Sequence, residues 1–325
     1  MATGFPILTL EDIVPLCDPS EITKAVQDAL IRHAQGKTVS PPPVQLEFPE
    51  AQGDCHIKTG YFRGDRYFAV KVATGFYANP SRGLPVNDGV TMVFDTHTGT
   101  PVALLRDAGW LTSWRTAAAG ALAAAAGAPP GACTLGIVGT GHQAQLQAEW
   151  IAEHLNMERI VVWGRSADRA EALASALCAK GLTAVAVASI QELCAETRLI
   201  VTCTPSASAV VPTQAVQAGT HIVAVGADSP GKQELEPSLF ARASVIAVDD
   251  REQCLHHGET SHALRERLLV ASDVVLLGDI LAGRAKGRLS ADEVTITDLT
   301  GIAAQDVAMA SLVLEKMQCR RDLDR

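Results

Sequence analysis

Apolar residues recur at two different periods along this chain, and the change from one to the other marks its organisation. Over residues 10–36, LEDIVPLCDPSEITKAVQDALIRHAQG, the apolar positions Ile22, Val26, Ala29 and Leu30 follow helical spacing. Asp18 or Ser20 is available as the N-cap and Gly36 as the stop, so a surface helix packed on one side is predicted. Between residues 41 and 100 the pattern shortens to alternating runs, PPVQLEFP, DCHIKTGYF, YFAVKVATGF and DGVTMVFDTHTGTPVALL, parted by Gly, Pro, Asn and Asp. That predicts an antiparallel sheet, closed on itself or paired with a second subunit. LTSWRTAAAGALAAAAGA then reads as one long helix, and the Pro129-Pro130-Gly131 break behind it suits a change of domain.

Beyond that break, strand and helix signals alternate: TLGIVG, RIVVWG, TAVAVA, RLIVTCT, HIVAVG and SVIAVDD, with helical stretches such as SADRAEALASALCAKG between them. The runs are nearly continuous in Val, Ile and Ala, as expected of strands covered on both faces. The fold class is therefore α/β: a Rossmann-type doubly wound parallel sheet plus a discontinuous α+β domain. VTITDLTG adds a strand, and AAQDVAMASLVLEKMQ a helix long enough to return to the first domain. The expected division is residues 1–116 with 304–325 for the first domain and 117–303 for the second.

Composition narrows the partners. A net charge of -9, with no run of Lys and Arg, argues against nucleic acid or an anionic membrane surface and for a small molecule. Eight scattered cysteines without a C-x-x-C pair suggest neither a zinc knuckle nor a redox dithiol, and read as reduced thiols of a cytoplasmic protein. MATGFPILTLEDIVPL lacks the basic and apolar parts of a secretory leader, and AAAGALAAAAGAPP is too short to span a bilayer.

Chemistry enters at CTLGIVGTGHQAQLQAEW. Gly139-Thr140-Gly141-His142-Gln143-Ala144 fits G-x-G-x-x-A between a strand and a helix: a tight turn, a close backbone approach to a pyrophosphate, and a small residue where helix meets strand. The helix N-terminus behind it suits an anion, so the expected cofactor is NAD(H) or NADP(H). The tip of the second strand, VVWGRSADR, carries Arg165, Ser166 and Arg169 and no carboxylate, which leans toward NADP without deciding it.

Lys58 in HIKTG, Lys71 in FAVKVATG and Arg115 in LTSWRTAAAG each place a charge in an apolar or small-residue run. A charge buried without a partner is costly, so something anionic should meet it. An edge-strand lysine turned to water is the competing reading for Lys71 and for Lys58. Asp228 follows a parallel strand at its carboxyl end, where such sheets place ligands, or else caps the Ser229-Pro230-Gly231 turn. His56, His142, His256 and His257 are further proton carriers, with CLHHGE expected on a surface loop. No ligand spacing suggests a metal, and no G-x-S-x-G elbow supports serine-hydrolase chemistry.

Six ordered motifs, AVKVATGF, TGTPVALLRDAGWLTSWRTAAAGALAA, LGIVGTGHQAQLQ, VWGRS, VAVGADSPGKQEL and DLTGIAAQDVAMA, together resemble the ornithine cyclodeaminase and mu-crystallin family over nearly the whole chain. The resemblance implies a discontinuous substrate domain that dimerises through its sheet, a Rossmann domain with bound NAD(H) or NADP(H), and chemistry at the alpha carbon of an amino or imino acid. It makes Lys71 and Arg115 ligands of the substrate carboxylate, Lys71 also a proton-transfer group, and Asp228 the acid facing the reacting nitrogen. Expected cofactor contacts are Thr116, Gly139, Thr140, Gly141, His142, Gln143, Arg165, Ser166, Thr204, Asp228, Thr300 and Gly301. Where family members commonly carry an arginine after the proline-rich turn, this chain has Gln45, and a neutral amide cannot supply that charge. Lys58 or His56 is the expected replacement.

HIKTGYF, KVATGFYANP and LLRDAGWLTSWRTAAAG look most like the branch with iminosuccinate reductases and ectoine-utilisation relatives. A cyclodeaminase returns its hydride to the substrate, whereas a reductase exchanges dinucleotide. Several cations suit a dicarboxylic imine better than a second ammonium, so the expected reaction is reduction of a small imino acid, with iminosuccinate to L-aspartate as the specific case. Ornithine cyclodeamination and a non-catalytic mu-crystallin-like binder are the alternatives.

Overall fold

The computed structural model describes residues 5–323, and these divide into two compact units. The first takes the chain up to Arg115 and again from Ile302; the second runs from Thr116 to Gly301. The division falls inside the helix Trp110–Gly127 and not at the Pro129-Pro130-Gly131 break.

In the first unit, Asp18 caps the helix Pro19–Ala34 by accepting from the Ser20 amide, Pro19 sets its first turn, and Gly36 follows it at φ +70°. Its buried stripe is Ile22, Val26, Ala29 and Leu30. Seven strands follow in chain order: β1 (Ile7–Thr9), β2 (Thr38–Val39), β3 (Val44–Phe48), β4 (Gly53–Phe62), β5 (Tyr67–Phe76), β6 (Asn87–Asp95) and β7 (Pro101–Arg106). Their order is β1-β7-β6-β5-β4-β2, with β3 also on β4, and every pairing except β1 with β7 is antiparallel. Among the described residues the sheet is open, with β1 and β2 at its ends, so of the two alternatives it does not close on itself.

Register decides what shares a face. Gln45 lies opposite His56, Lys58 opposite Lys71, and Lys71 opposite Thr91. Since strand side chains alternate with period two, Gln45, His56, Lys58 and Lys71 all stand on one face. Further along that face the helix Ala303–Leu323 packs on β4 and β5, and a Cβ on Gly60 would come within 3.4 Å of the Ala303 methyl. The other face carries an apolar row, Val44, Ile57, Val72 and Val90, with Thr74 and Asp88 beside it, and Val44, Leu46 and Phe48 are 55, 46 and 41% exposed.

The second unit is built on eight parallel strands, β8 (Thr134–Val138), β9 (Arg159–Trp163), β10 (Ala184–Ala186), β11 (Leu199–Thr202), β13 (His221–Ala224), β15 (Ala243–Val248), β16 (Val274–Leu276) and β17 (Val294–Asp298), with β12 (Ala207–Val211) and β14 (Gln233–Leu235) paired separately. The order β10-β9-β8-β11-β13-β17-β15-β16 reverses direction between β8 and β11, the switch point where doubly wound sheets open a crevice at their carboxyl edge. The central strands are wholly buried, as their continuous apolar runs require. CLHHGE is not a surface loop: it spans the end of the helix Arg251–His257 and the start of Glu259–Arg265, with Cys254, His257 and Glu259 buried. A lone stretch rich in polar residues concealed the apolar side that Cys254 and Ala263 turn to the core.

His221 ties β13 to the long helix. Its Nε2 stands 3.0 Å from the Ala123 carbonyl and its Nδ1 2.8 Å from the Thr295 hydroxyl, which fits a neutral ring donating at Nε2 and accepting at Nδ1. Gly127 makes this possible, because a Cβ there would lie 2.2 Å from the ring. Burial holds the imidazole down from 6.5 to about 4. In that window the unfolded chain binds the proton and the folded one does not, so stability falls as pH drops from about 6.5 toward 4. We expect a loss on the order of 3 kcal/mol over the window. Urea unfolding at several pH values should show a markedly flatter slope for His221→Gln; equal slopes would exclude His221 as the source.

Candidate functional site

Three segments far apart in sequence converge on the polar face of the first unit. Lys71, in the middle of β5, and Arg115, at the start of the long helix, are 5 and 6% exposed. Both are largely withdrawn from solvent. Both meet Asp306, on the first turn of Ala303–Leu323: Lys71 Nζ donates to Oδ1 at 2.7 Å and Arg115 Nε to the same oxygen at 3.2 Å. Lys71 also donates to Thr112 Oγ1 at 3.3 Å, and Arg115 Nη1 to Gln305 Oε1 at 3.0 Å. The edge-strand reading of Lys71 is thus overturned, because β5 lies inside the sheet with β4 and β6 on either side. The anion demanded by these buried cations comes from within the chain.

The electrostatics are tightly balanced. Burial depresses the Lys71 ammonium, Asp306 pulls it back up, Arg115 and Lys58 push it down, and it settles at about 7. Burial would raise the Asp306 carboxyl, but Lys71, Arg115 and Lys58 hold it below the ordinary range. Lys71 and Arg115 share one Asp306 oxygen, half-buried Lys58 stands across from Lys71 on the same face, and Asp54 on that face and buried Asp107 are further carboxylates of the cluster. Asp306 Oδ2 and Gln305 Nε2 are buried and make no hydrogen bond within the structure, so an acceptor and a donor remain there. His56, on the same face, has Nε2 3.5 Å from Asp54 Oδ1, and Gln45 stands across from it in register.

In the second unit the glycine turn has the shape its sequence suggests. Gly139 takes φ +131°, and a Cβ there would stand 2.8 Å from the Cys203 carbonyl oxygen, so the turns after β8 and β11 touch at the switch point. Gly141 caps the helix His142–Leu155 with no side-chain bond, and nothing lies within 4 Å of where its Cβ would be. The first-turn amides therefore lack a side-chain cap, and Ala144 is buried against the strand. A pyrophosphate fits this cradle. Thr140, His142 and Gln143 belong to the same turn, with a Cβ on Gly164 meeting the Thr140 methyl at 2.5 Å. Arg165 and Ser166 are exposed after β9, Ser166 capping Ala167–Ala179 through the Arg169 amide. The Thr116 carbonyl accepts from Gln147 Nε2 at 2.9 Å, and Gly120 clears the space for that amide.

The remaining carboxyl-edge turns are held by buried carboxylates that the motif reading passed over. Glu234 accepts from the Thr204 amide at 2.5 Å, the Gly226 amide at 2.7 Å and the Thr202 hydroxyl at 2.7 Å. Glu259 accepts in turn from the amides of Glu234 and Leu235. Asp249 accepts from the amides of Thr300 at 3.1 Å and Gly301 at 2.7 Å. Asp228 is exposed on the turn beyond Gly226, paired with Lys232 at 2.6 Å. Glu234 lies within the VAVGADSPGKQEL motif, but an acid beside a turn carries no local mark of being buried. Among the described residues no group of three or more His, Cys, Asp or Glu is placed to hold a metal.

Glu234→Ala would leave the buried Thr202 hydroxyl and the part-buried Thr204 and Gly226 amides without their acceptor, so a loss of about 3 kcal/mol is expected. Urea unfolding checks this, and a change of less than ~1 kcal/mol would show that the turns after β11 and β13 do not depend on Glu234.

A model of the ornithine cyclodeaminase/mu-crystallin family matches residues 6–320. The chain belongs to that family. It is similar to an archaeal alanine dehydrogenase dimer with bound NAD (34% identity, 98% of this chain and 97% of that one, TM-score 0.89). It is also similar to the iminosuccinate reductase of Paracoccus denitrificans in complex with NAD+ (31% identity, 97 and 96% covered, TM-score 0.88). An uncharacterised cyclodeaminase of Sinorhizobium fredii is 35% identical over 96% of this chain and 94% of its own length. Membership covers both reductive and cyclodeaminating chemistry, and no described helix is long and apolar enough to cross a membrane.

Proposed function

We propose that this NAD(P)-dependent enzyme reduces a small α-imino acid, with iminosuccinate to L-aspartate as the specific reaction. The observation that carries the reading is the clustering of three cations: Lys71 and Arg115 share one Asp306 oxygen, with Lys58 across from Lys71 on the sheet. A dianionic substrate is attracted by such a cluster, and a second ammonium is repelled by it.

In this reading Arg115 and Lys71 bind the α-carboxylate and Lys58 the distal one, fixing the orientation of the C=N group. The dinucleotide, NAD(H) or NADP(H), held by Gly139, Thr140, Gly141 and the first turn of His142–Leu155, supplies hydride to the imine carbon when bound. Reduction also needs one proton at nitrogen, for which Lys71, balanced near neutrality, and Asp228 are the candidate donors. The turns carrying Arg165, Ser166, Thr204, Thr300 and Gly301, with Thr116, complete the proposed cofactor contacts. The face bearing Val44, Leu46 and Phe48 is the proposed homodimer surface, since three neighbouring exposed apolar side chains on one strand call for a cover.

The test follows NADH and NADPH absorbance with oxaloacetate plus ammonia and with pyruvate plus ammonia. Oxaloacetate should support the faster oxidation, and Lys58→Ala should lower its kcat/KM by about 10- to 100-fold, as loss of one charge-assisted contact does, and pyruvate's by less than about threefold. Proline and ammonia released from ornithine with unchanged cofactor would instead establish cyclodeamination.

A further inference from the structure

Asp306 stands where no part of the proposed reaction needs an acid, yet it is among the most constrained polar groups of the first unit. It is 6% exposed, and one of its oxygens serves both Lys71 and Arg115, residues 235 and 191 positions away in the chain. We infer that Asp306 is the positioning residue that keeps Lys71 an ammonium ion and aims it, with Arg115, across the face that receives the substrate carboxylate; this rests on the proposed reading of that face.

Besides Asp306, three charged groups act on Lys71: Arg115 from the long helix and Lys58 from β4 repel it, and Asp107, in the turn before that helix, attracts it. Asp107 is itself buried, its carboxyl raised by desolvation and engaged by the Leu111 amide at 2.7 Å. Among the described residues, Asp306 is the carboxylate seen in direct contact with Lys71 Nζ. Without it, a buried amine beside two cations releases its proton and ceases to attract a carboxylate. The same oxygen fixes Arg115 through Nε, which leaves the Nη1 edge to Gln305 and orients the guanidinium plane. Asp306 thus acts on both substrate ligands without itself being one.

The decisive measurement is the ionisation of Lys71 in the whole protein, read by NMR of 13Cε-labelled lysine, with the Lys71 signal assigned by its loss in Lys71→Arg. In wild type Lys71 should titrate near 7. Asp306→Asn keeps the shape and removes the charge, so the midpoint should fall by about one pH unit or more, and the high-pH limb of kcat/KM should move down with it. Asp306→Glu, which restores the charge, should return the midpoint to within about half a unit of wild type. Retained dinucleotide binding and a single cooperative unfolding transition, even at a lowered midpoint, identify variants that are folded. A Lys71 midpoint equal in wild type and Asp306→Asn would overturn the inference, as would a pH limb that stays in place when the midpoint moves. Because the NMR midpoint needs no turnover, a shifted Lys71 in an enzyme that reduces no imino acid would refute the functional reading and leave the electrostatic role of Asp306 intact.

Discussion

A single carboxylate oxygen shared by an ammonium and a guanidinium is the contact on which the first unit's chemistry depends. Two buried cations on one sheet face repel each other and are poorly solvated, so the arrangement is tolerable only with an anion between them. Asp306 supplies it from a helix that returns to the sheet after the whole second unit has been built. This gives the chain's discontinuity a physical consequence: Lys71 and Arg115 both precede residue 116, but the carboxylate they share comes only after residue 301.

The second unit solves a different problem with a related device. Its carboxyl-edge turns must present backbone toward a ligand, and Gly139 and Gly141 keep that approach clear of side chains. Turns built this way have amides with no secondary-structure partner, and Glu234, Glu259 and Asp249 accept them from inside the protein. Buried carboxylates without cations are costly to ionise, and desolvation raises both Glu234 and Glu259. Their multiple amide donors are what make their burial acceptable.

Much of the architecture was legible along the chain. The parallel strands showed as unbroken runs of Val, Ile and Ala, because a strand covered on both faces has no polar side to interrupt it. The antiparallel strands showed as alternation, and Gly139–Gly141 as a turn between strand and helix. Short β16 and the β12–β14 pair did not show, since three to five residues carry too little period to separate strand from loop. The helices around Cys254 were not legible because their buried positions, Cys254, His257, Glu259, Thr260, Ser261 and Ala263, are mostly polar or small.

What the sequence alone determined is the set of charges that need an explanation: Lys58, Lys71 and Arg115 in apolar runs, and a glycine turn suited to a pyrophosphate. These follow from local composition and spacing. The tertiary structure decided which side chains share a face, that Lys71 lies inside the sheet and not at its edge, and that Asp306 rather than solvent meets it. Nothing in AAQDVAMA distinguishes a solvated aspartate at the start of a helix from one buried against two cations. Only packing that helix on β4 and β5 removes its water, and with it the choice of partners.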